Sequence, residues 1–361
     1  MKDLLYLTWL SILPGLSADR KLELMRTFGS ARGVFEAPAD TLKEMFAKNG
    51  ILSSNASALK RLLRKDAEGA QRCLQQAKKT GAAVIPMDSG AYPSSLQTIK
   101  DPPLVLFALG DVSLLQTRCI AVVGTRRASP YGRWAAAEIA RKVSLAGVTV
   151  VSGMAEGIDT AAHEGCLQAD GKTIAVFGTG VDICFPKSNA RLYEEIRQKG
   201  LLLSEYPFGE RGYAMNFPER NRIISGLSES CIVAEGAVKS GSLITAGLAA
   251  EQGRGVFALP GNVNQPGSAG TNLLISEGVP PIYSLDHLLH ILGLEGLPAE
   301  QRTDLSEHEK ALMRHILNCG SSSKQYICET CSIGAQEASM LLTCLELKGL
   351  VRLEGSQVFV L

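Results

Sequence analysis

The amino-acid sequence predicts an α/β protein whose main part is a mostly parallel β-sheet with helices on both faces. Short, continuous apolar runs alternate with helical segments along the middle of the chain, and such runs are typical of strands buried on both faces. Parallel neighbours need crossover connections, and right-handed crossovers make the sheet doubly wound and Rossmann-like. The predicted strands are Ile120–Val123, Val148–Val151, Thr173–Phe177, Leu201–Leu203, Cys231–Ala234 and Val256–Leu259.

Two smaller units flank the predicted sheet. The N-terminal segment reads as short amphipathic helices around the turn at 12–17, which predicts a small helical domain of helix-hairpin-helix or SAM-like type. The C-terminal segment shows helices followed by a hairpin around Gly355, which predicts a winged helix-turn-helix. The predicted boundaries are 1–75 for the helical domain, 76–116 for a connector, 117–290 for the Rossmann-like domain, 291–304 for a linker and 305–361 for the winged helix.

Composition narrows the class of protein. The chain has 361 residues, of which 45% are hydrophobic and 20% charged, as in ordinary globular proteins. No apolar run reaches the roughly 18 residues that span a bilayer, and the N-terminus shows no signal-type cleavage site. The nine cysteines are an odd number in a large chain without an export signal, so we expect them to be reduced. We therefore expect a soluble, cytoplasmic protein with no membrane partner.

Glycine-rich turns with basic neighbours follow several predicted strands. In a doubly wound sheet these turns meet at the carboxyl edge, where helix-start amides bind anions and arginine binds phosphate through its forked guanidinium. One such turn is often only a tight turn, but their repetition along one edge predicts a phosphate-binding crevice. The candidate binding residues are Gly124, Arg126, Arg127, Ser152, Gly153, Gly178, Gly180, Lys187, Arg220, Asn221, Arg222, Lys239, Ser240, Gly241, Ser242 and Thr245.

The sequence lacks motifs that would indicate catalysis at this crevice. No Walker A lysine motif occurs, and Gly178-Thr179-Gly180 is only a fragment of the dinucleotide fingerprint. His163 stands on a predicted helix without a matching set of metal ligands. We therefore predict no catalytic residue, no metal and no cofactor, and a protein that binds its ligand without converting it.

Several ordered motifs resemble those of one known family, the DNA processing protein A family (DprA, also called Smf). They cover residues 117–285 strongly and the flanking units weakly. The chain departs from the family at Phe185, where a tyrosine is more usual. The matching motifs lie at 123–132, 152–159, 178–187, 204–207, 217–222, 240–245 and 260–261.

The resemblance implies a more specific function than composition and motif spacing predict. It implies a protein that binds and protects single-stranded DNA and loads RecA recombinase onto it during natural transformation and recombination. Single-strand-binding protein is a further implied partner, and a homodimer through the Rossmann-like domain is implied. Arg126 and Lys187 match positions that contact DNA in the family.

The rival class is a Rossmann-like enzyme that binds nucleotides or nucleoside phosphates, of the phosphoribohydrolase type. Those enzymes carry a catalytic glutamate in the turn that corresponds to 239–242 and the helix after it. Here the helix has no carboxylate before Glu251, about 13 Å of helix rise beyond Ser242. The sequence therefore favours binding over hydrolysis.

The predicted recognition helix of the C-terminal unit has the wrong charge for duplex DNA. Ala335–Lys348 carries Glu337 and Glu346 and has no cation before Lys348. A helix that enters the major groove contacts phosphates with arginine or lysine. We therefore predict that this unit packs against protein rather than reading DNA.

Overall fold

The computed structural model divides into two compact units, Met1–Pro298 and Ala299–Leu361. None of the described helices combines the length and the apolar character that crossing a bilayer demands. The structure describes residues 2–48, 56–294, 308, 312–313, 315–316, 321–331, 333–347, 351–355 and 357–360.

The first unit is built on an eight-stranded sheet in the order β1-β2-β6-β5-β4-β3-β7-β8. Strands β3 to β8 pair in parallel, whereas β1 and β2 form an antiparallel edge. The mostly parallel α/β sheet expected from the sequence is confirmed. The strands are β1 Ala83–Pro86, β2 Val105–Gly110, β3 Cys119–Gly124, β4 Thr149–Ser152, β5 Thr173–Phe177, β6 Leu201–Ser204, β7 Ser230–Glu235 and β8 Gly255–Ala258.

Helices cover both faces of this sheet because alternate residues of a strand point to opposite faces. Ile120 and Val122 of β3 join the apolar cluster of α8 and α9, and Ala121 and Val123 join that of α11 and α12. The chain runs outward from β3 on one side and then returns to β7 on its other side. The helices are α7 Ser94–Gln97, α8 Pro130–Leu145, α9 Ile158–Gln168, α10 Ala190–Lys199, α11 Asn216–Leu227, α12 Gly241–Glu251, α13 Ala269–Ser276 and α14 Leu288–Ile291.

In the described part of the chain, six helices precede the sheet within the same compact unit. The Ser17 hydroxyl accepts a hydrogen bond from the Arg20 amide and caps α2, which ends at Gly29 with a left-handed φ of 78°. Trp9 and Leu10 lie in one apolar cluster with Phe107 of β2, so these helices pack on the antiparallel edge of the sheet. Their helix-hairpin-helix or SAM-like type stays a prediction. They are α1 Lys2–Ile12, α2 Ala18–Phe28, α3 Ala31–Glu36, α4 Ala39–Lys48, α5 Ala56–Arg64 and α6 Glu68–Thr80.

The second unit combines helices with a three-stranded antiparallel sheet in the order β10-β11-β9. Ile327, Leu342 and Val358 belong to its apolar core. Most of the expected linker at 291–304 lies outside the described residues. The winged-helix assignment stays a prediction. The elements are β9 Ser321–Ser323, α15 Lys324–Cys331, α16 Ala335–Leu347, β10 Val351–Glu354 and β11 Gln357–Val360.

Candidate functional site

A cleft of about 650 Å³ opens at the carboxyl ends of β3 and β7. The strand order reverses at β3, and this is where ligands of open α/β sheets bind. We call it the first cleft. It brings together many of the residues that the sequence indicated. The predicted residues that line it are Gly124, Arg126, Arg127, Arg220, Asn221, Ser240, Gly241, Ser242 and Thr245.

The loop after β3 is held tightly at its base. A Cβ added to Gly124 would lie 2.4 Å from Ile158 Cγ1, so glycine lets the start of α9 approach the strand. The Thr125 amide donates to the carbonyl of Glu235 (2.7 Å), and the Thr125 carbonyl accepts from the Ile158 amide (3.2 Å). The two arginines that follow therefore project from a fixed backbone.

Arg126 and Arg127 are exposed, and neither forms an ion pair with any residue that the structure describes. The guanidinium carbon of Arg126 lies 5.5 Å from the centre of the Phe217 ring. The centre of the Phe185 ring lies 5.3 Å from that of Phe217, and Phe185 is exposed. One cation and two aromatic rings thus form a row at the rim. Reasoning from the sequence missed both rings as site residues, because the chain places them 32 residues apart.

The Gly/Ser turn at the start of α12 forms another wall of the first cleft. Ser240 caps the helix, and its hydroxyl lies 2.8 Å from that of Ser242. Gly241 is exposed, and no atom lies within 4 Å of the position that its Cβ would take. The carbonyl of Gly241 accepts from Asn221 Nδ2 at 3.4 Å. First-turn amides have no acceptor within their own helix, so this wall can receive an anion.

Arg220 ties the ends of two strands together beneath the first cleft. Its side chain is buried, and Nη1 donates to the carbonyls of Gly153 (2.8 Å) and Val176. Burial lowers its pKa to about 10, and the nearby carboxylate of Asp159 acts in the opposite direction. A Cβ at Gly153 would lie 2.5 Å from Arg220 Nη2 and 2.7 Å from Asp159 Oδ2. The position next to this buried pair therefore requires glycine.

Among the described residues that line the first cleft, Asp159 is the one with a carboxylate side chain. Its Oδ2 accepts hydrogen bonds from the amides of Gly153 (3.1 Å) and Ala155 (3.3 Å). Burial raises the pKa of Asp159, while the positive charge of Arg220 and these amides lower it. The carboxylate thus holds the loop after β4 at the start of α9.

Besides Gly153, three predicted residues support the first cleft without lining it. The buried Ser152 hydroxyl donates to the Val122 carbonyl at 2.7 Å. The Gly178 carbonyl accepts from Asn216 Nδ2 at 3.0 Å, and the Gly180 amide donates to the carbonyl of Glu210 at 2.9 Å. These bonds tie the loops after β4 and β5 to their neighbours.

Three predicted cations lie outside the lining of the first cleft. Lys187 and Lys239 are exposed, and each is close in sequence to a rim residue, Phe185 or Ser240. Arg222 faces a second cleft of about 710 Å³ instead. There it donates two hydrogen bonds to Glu205, at 2.7 and 2.6 Å. The structure therefore does not bring Arg222 to the first cleft.

His163 is a buried part of the core. Its Nδ1 lies 2.7 Å from the Thr173 hydroxyl, which donates to the Val150 carbonyl. Burial lowers the pKa of His163 to about 3, so the ring is neutral near pH 7. In the described ranges no three histidine, cysteine or acidic side chains are grouped in a way that could hold a metal ion.

The mostly parallel sheet and the reversal of strand order at β3 define a Rossmann-like fold, and the first cleft lies at that reversal. A sequence model of one family matches residues 83–293, and its description is DNA recombination-mediator protein A. The chain belongs to this family. The resemblance to DprA/Smf proteins that the motifs indicated is thereby confirmed.

Individual relatives agree with this assignment. The chain is 41% identical to DNA processing protein DprA of Bacillus subtilis over 238 residues, 66% of this chain and 80% of the relative. It is 45% identical to Protein Smf of Escherichia coli over 219 residues, 60% of this chain and 58% of the relative.

Two solved structures are similar as well. The crystal structure of DprA from Streptococcus pneumoniae superimposes with a TM-score of 0.66 at 35% identity, covering 78% of this chain and 95% of that one. A structure of DNA processing protein A from Helicobacter pylori, described for its single-stranded DNA binding mode, gives a TM-score of 0.54 at 33% identity. It covers 58% of this chain and 95% of that one.

Proposed function

We propose that the first cleft binds single-stranded DNA. The observation that carries this proposal is the exposed Arg126 guanidinium, which lies over the Phe217 ring beside the first turn of α12. Arg126, Arg127 and the 240–242 turn would hold phosphates, with Lys187 and Lys239 at the rim. The single-stranded DNA binding mode described for the Helicobacter pylori relative supports the proposal.

The aromatic rings explain why we expect the bound DNA to be single-stranded. Proteins that bind single strands combine a basic groove with rings on which unpaired bases stack. Phe185 offers an exposed ring backed by Phe217, and duplex DNA keeps its bases out of reach of such a surface. Apart from Arg222, the remaining candidates would shape the cleft rather than carry its charge; they are Gly124, Ser152, Gly153, Gly178, Gly180, Arg220, Asn221 and Thr245.

A gel-shift experiment tests the proposal. The purified protein is titrated into matched single-stranded and double-stranded oligonucleotides at several salt concentrations. We expect a shift of the single strand that weakens as salt rises, because bound phosphates release their counterions. Equal shifts for both DNA forms, or none for the single strand, would refute the proposal.

We infer that the first cleft binds DNA without breaking a bond. Asp159, the lining carboxylate, is engaged by two backbone amides, and α12 has no carboxylate before Glu251. The phosphoribohydrolase alternative is therefore not favoured. Incubation with nucleoside monophosphates, ATP or labelled oligonucleotide should leave each intact. Release of base or phosphate by the wild-type protein, lost in an Arg126 variant, would overturn this inference.

We further propose that the protein hands its strand to RecA recombinase. The family description, a recombination mediator, supports this role. The proposed setting is the cytoplasm of a naturally transformable cell, with a homodimer that displaces single-strand-binding protein. RecA filament growth on strands coated with single-strand-binding protein should accelerate when the protein is added. Absence of acceleration with the cognate RecA would remove the loader role and leave DNA binding standing.

A further inference from the structure

A separate cavity of about 720 Å³ lies beside the start of α8. We propose that it receives an unpaired nucleobase from the same DNA strand, with the Tyr131 ring as the stacking surface. This inference rests on the proposed function and adds a second contact region to it. The cavity is lined by Ser129, Pro130, Tyr131, Pro260, Gly261, Asn262, Gln265 and Ser268.

Two large aromatic side chains stand exposed on this side of α8. Tyr131 is 50% exposed and Trp134 is 55% exposed, and their ring centres lie 6.0 Å apart at an interplanar angle of 35°. Exposed apolar surface grouped in one place marks a binding site more often than scattered residues do. Every base has a π-face, so a ring can stack on a single strand of any sequence.

The wall opposite Tyr131 is rigidly built. Asn272 holds the Pro260–Gly261 turn through both atoms of its side-chain amide: Oδ1 accepts from the Gly261 amide (3.1 Å), and Nδ2 donates to the Gly261 carbonyl (2.9 Å). A Cβ at Gly261 would lie 2.2 Å from the Ser268 hydroxyl oxygen, so the turn packs directly on that serine. A preformed wall of this kind lowers the entropy lost when a ligand binds.

The polar groups of the cavity suit a base edge. The side chains of Asn262, Gln265 and Ser268 have no hydrogen-bond partner in the part of the chain that the structure describes. Amides and hydroxyls both donate and accept, as the Watson–Crick edges of bases require. Together they offer an unpaired base the partners that it loses when it leaves a duplex.

The charges around the cavity favour a neutral group over a phosphate. None of the lining residues is a lysine or arginine. The buried carboxylate of Glu235 lies behind them, where its Oε2 accepts from the Ser129 amide (2.9 Å) and hydroxyl (3.0 Å). Its Oε1 would lie 2.6 Å from a Cβ at Gly267, so the carboxylate fills the space below the 260–268 loop. A neutral base fits this surrounding better than an anion does.

The cavity is within reach of a strand held in the first cleft. Arg127 lines that cleft, and Tyr131 lies only four residues further along the chain. Four residues of extended chain span at most about 14 Å. Phosphates bound at Arg126 and Arg127 would thus direct the following nucleotides toward α8.

An abasic scan of a short oligonucleotide tests the proposal on the full chain. One nucleotide at a time loses its base while the phosphates stay unchanged. At one position we expect the wild type to lose about 5-fold to 150-fold in affinity, which is the contribution of one stacked base. Tyr131→Ala should lose a similar factor on the intact oligonucleotide and nothing further at that abasic position. Tyr131→Phe should behave as wild type, and Tyr283→Ala, which removes an exposed ring elsewhere, should too.

Tryptophan fluorescence gives a second readout on folded protein. The chain has two tryptophans, of which Trp9 is buried and Trp134 is exposed. Bound oligonucleotide should quench the emission of the wild type, whereas Trp134→Phe should show almost no quenching.

The outcomes separate this inference from the function on which it rests. If Arg126→Ala loses affinity while Tyr131→Ala binds the intact oligonucleotide and every abasic one as the wild type does, the base site is refuted. The proposal that the first cleft binds DNA then stands. If the wild type binds no oligonucleotide, both fail.

Discussion

The guanidinium carbon of Arg126 lies 5.5 Å from the centre of the Phe217 ring, although 91 positions separate the two residues in the chain. Arg126 comes from the loop after β3, and Phe217 from the first turn of α11. A cation over a ring face is attracted by the ring's quadrupole and keeps its donors free to point outward. The contact therefore holds an exposed arginine at the mouth of the first cleft.

The exposed ring of Phe185 should bind through stacking rather than charge. We expect Phe185→Leu to weaken binding of a single strand by about 5-fold to 150-fold, because stacking on an aromatic ring contributes about 1–3 kcal/mol per base. The salt dependence of binding should not change. Phe185→Tyr keeps the ring and should bind as the wild type does. Fluorescence anisotropy measures all three proteins, and a Phe185→Leu variant of wild-type affinity would show that no base stacks there.

We expect Arg222 to stabilise the fold and not to bind DNA. Its ion pair with Glu205 is largely buried, with side-chain exposures of 14% and 17%. Arg222→Met leaves that carboxylate unpaired, so we expect the free energy of unfolding to fall by about 3 kcal/mol. The double change with Glu205→Met should recover part of the loss. Denaturant titration measures stability, and a tenfold loss of DNA affinity in a fully folded Arg222→Met protein would contradict this assignment.

The strand pattern could be predicted because buried parallel strands leave continuous apolar runs in the sequence. The roles of the arginines could not, because Arg220 and Arg222 stand two residues apart in one motif. Arg220 turns inward to the carbonyls of Gly153 and Val176, and Arg222 turns to the opposite side and pairs with Glu205. Only the helical geometry of α11 separates the two directions. The Phe185–Phe217 contact likewise joins the loop after β5 to the first turn of α11, two segments that sequence spacing does not show to be neighbours.

His163 should make the fold sensitive to acid. Burial and the charge of Arg220 lower its pKa from 6.5 in the unfolded chain to about 3 in the folded protein. The unfolded chain therefore takes up more protons below about pH 6.5, and the stability that is complete above this pH is lost as pH falls toward 3. The slope from this residue is at most about 1.4 kcal/mol per pH unit.

The comparison variant is His163→Asn, whose side-chain amide can still donate to the Thr173 hydroxyl. Unfolding free energies measured from about pH 7 to pH 4 should fall less steeply for the variant than for the wild type. Equal slopes would show that His163 is not held neutral in the folded protein.

The C-terminal unit should contribute little to binding of a single strand. Residues 291–361 hold 6 basic against 9 acidic residues, and α16 carries no cation. Met340 is exposed on that helix, which suits a protein contact better than a phosphate. Deletion of residues 300–361 should leave DNA affinity within a few-fold of wild type. A tenfold loss, about 1.4 kcal/mol, in a protein that stays folded would show that this unit contacts DNA.

The salt dependence of single-strand binding tests the central claim most directly. Each lost phosphate contact should reduce the magnitude of the negative slope of log K against log salt by about 0.7. The slope should therefore become shallower by about 0.7 for Arg126→Ala and by about 1.4 for the double change with Arg127→Ala. Arg118→Ala is the matched control, because Arg118 is an exposed arginine at the opposite end of β3, paired with Glu229. We predict reduced slopes for the two cleft variants and a wild-type slope for the control. A double variant with the wild-type slope would contradict the account, because the phosphates would then bind elsewhere.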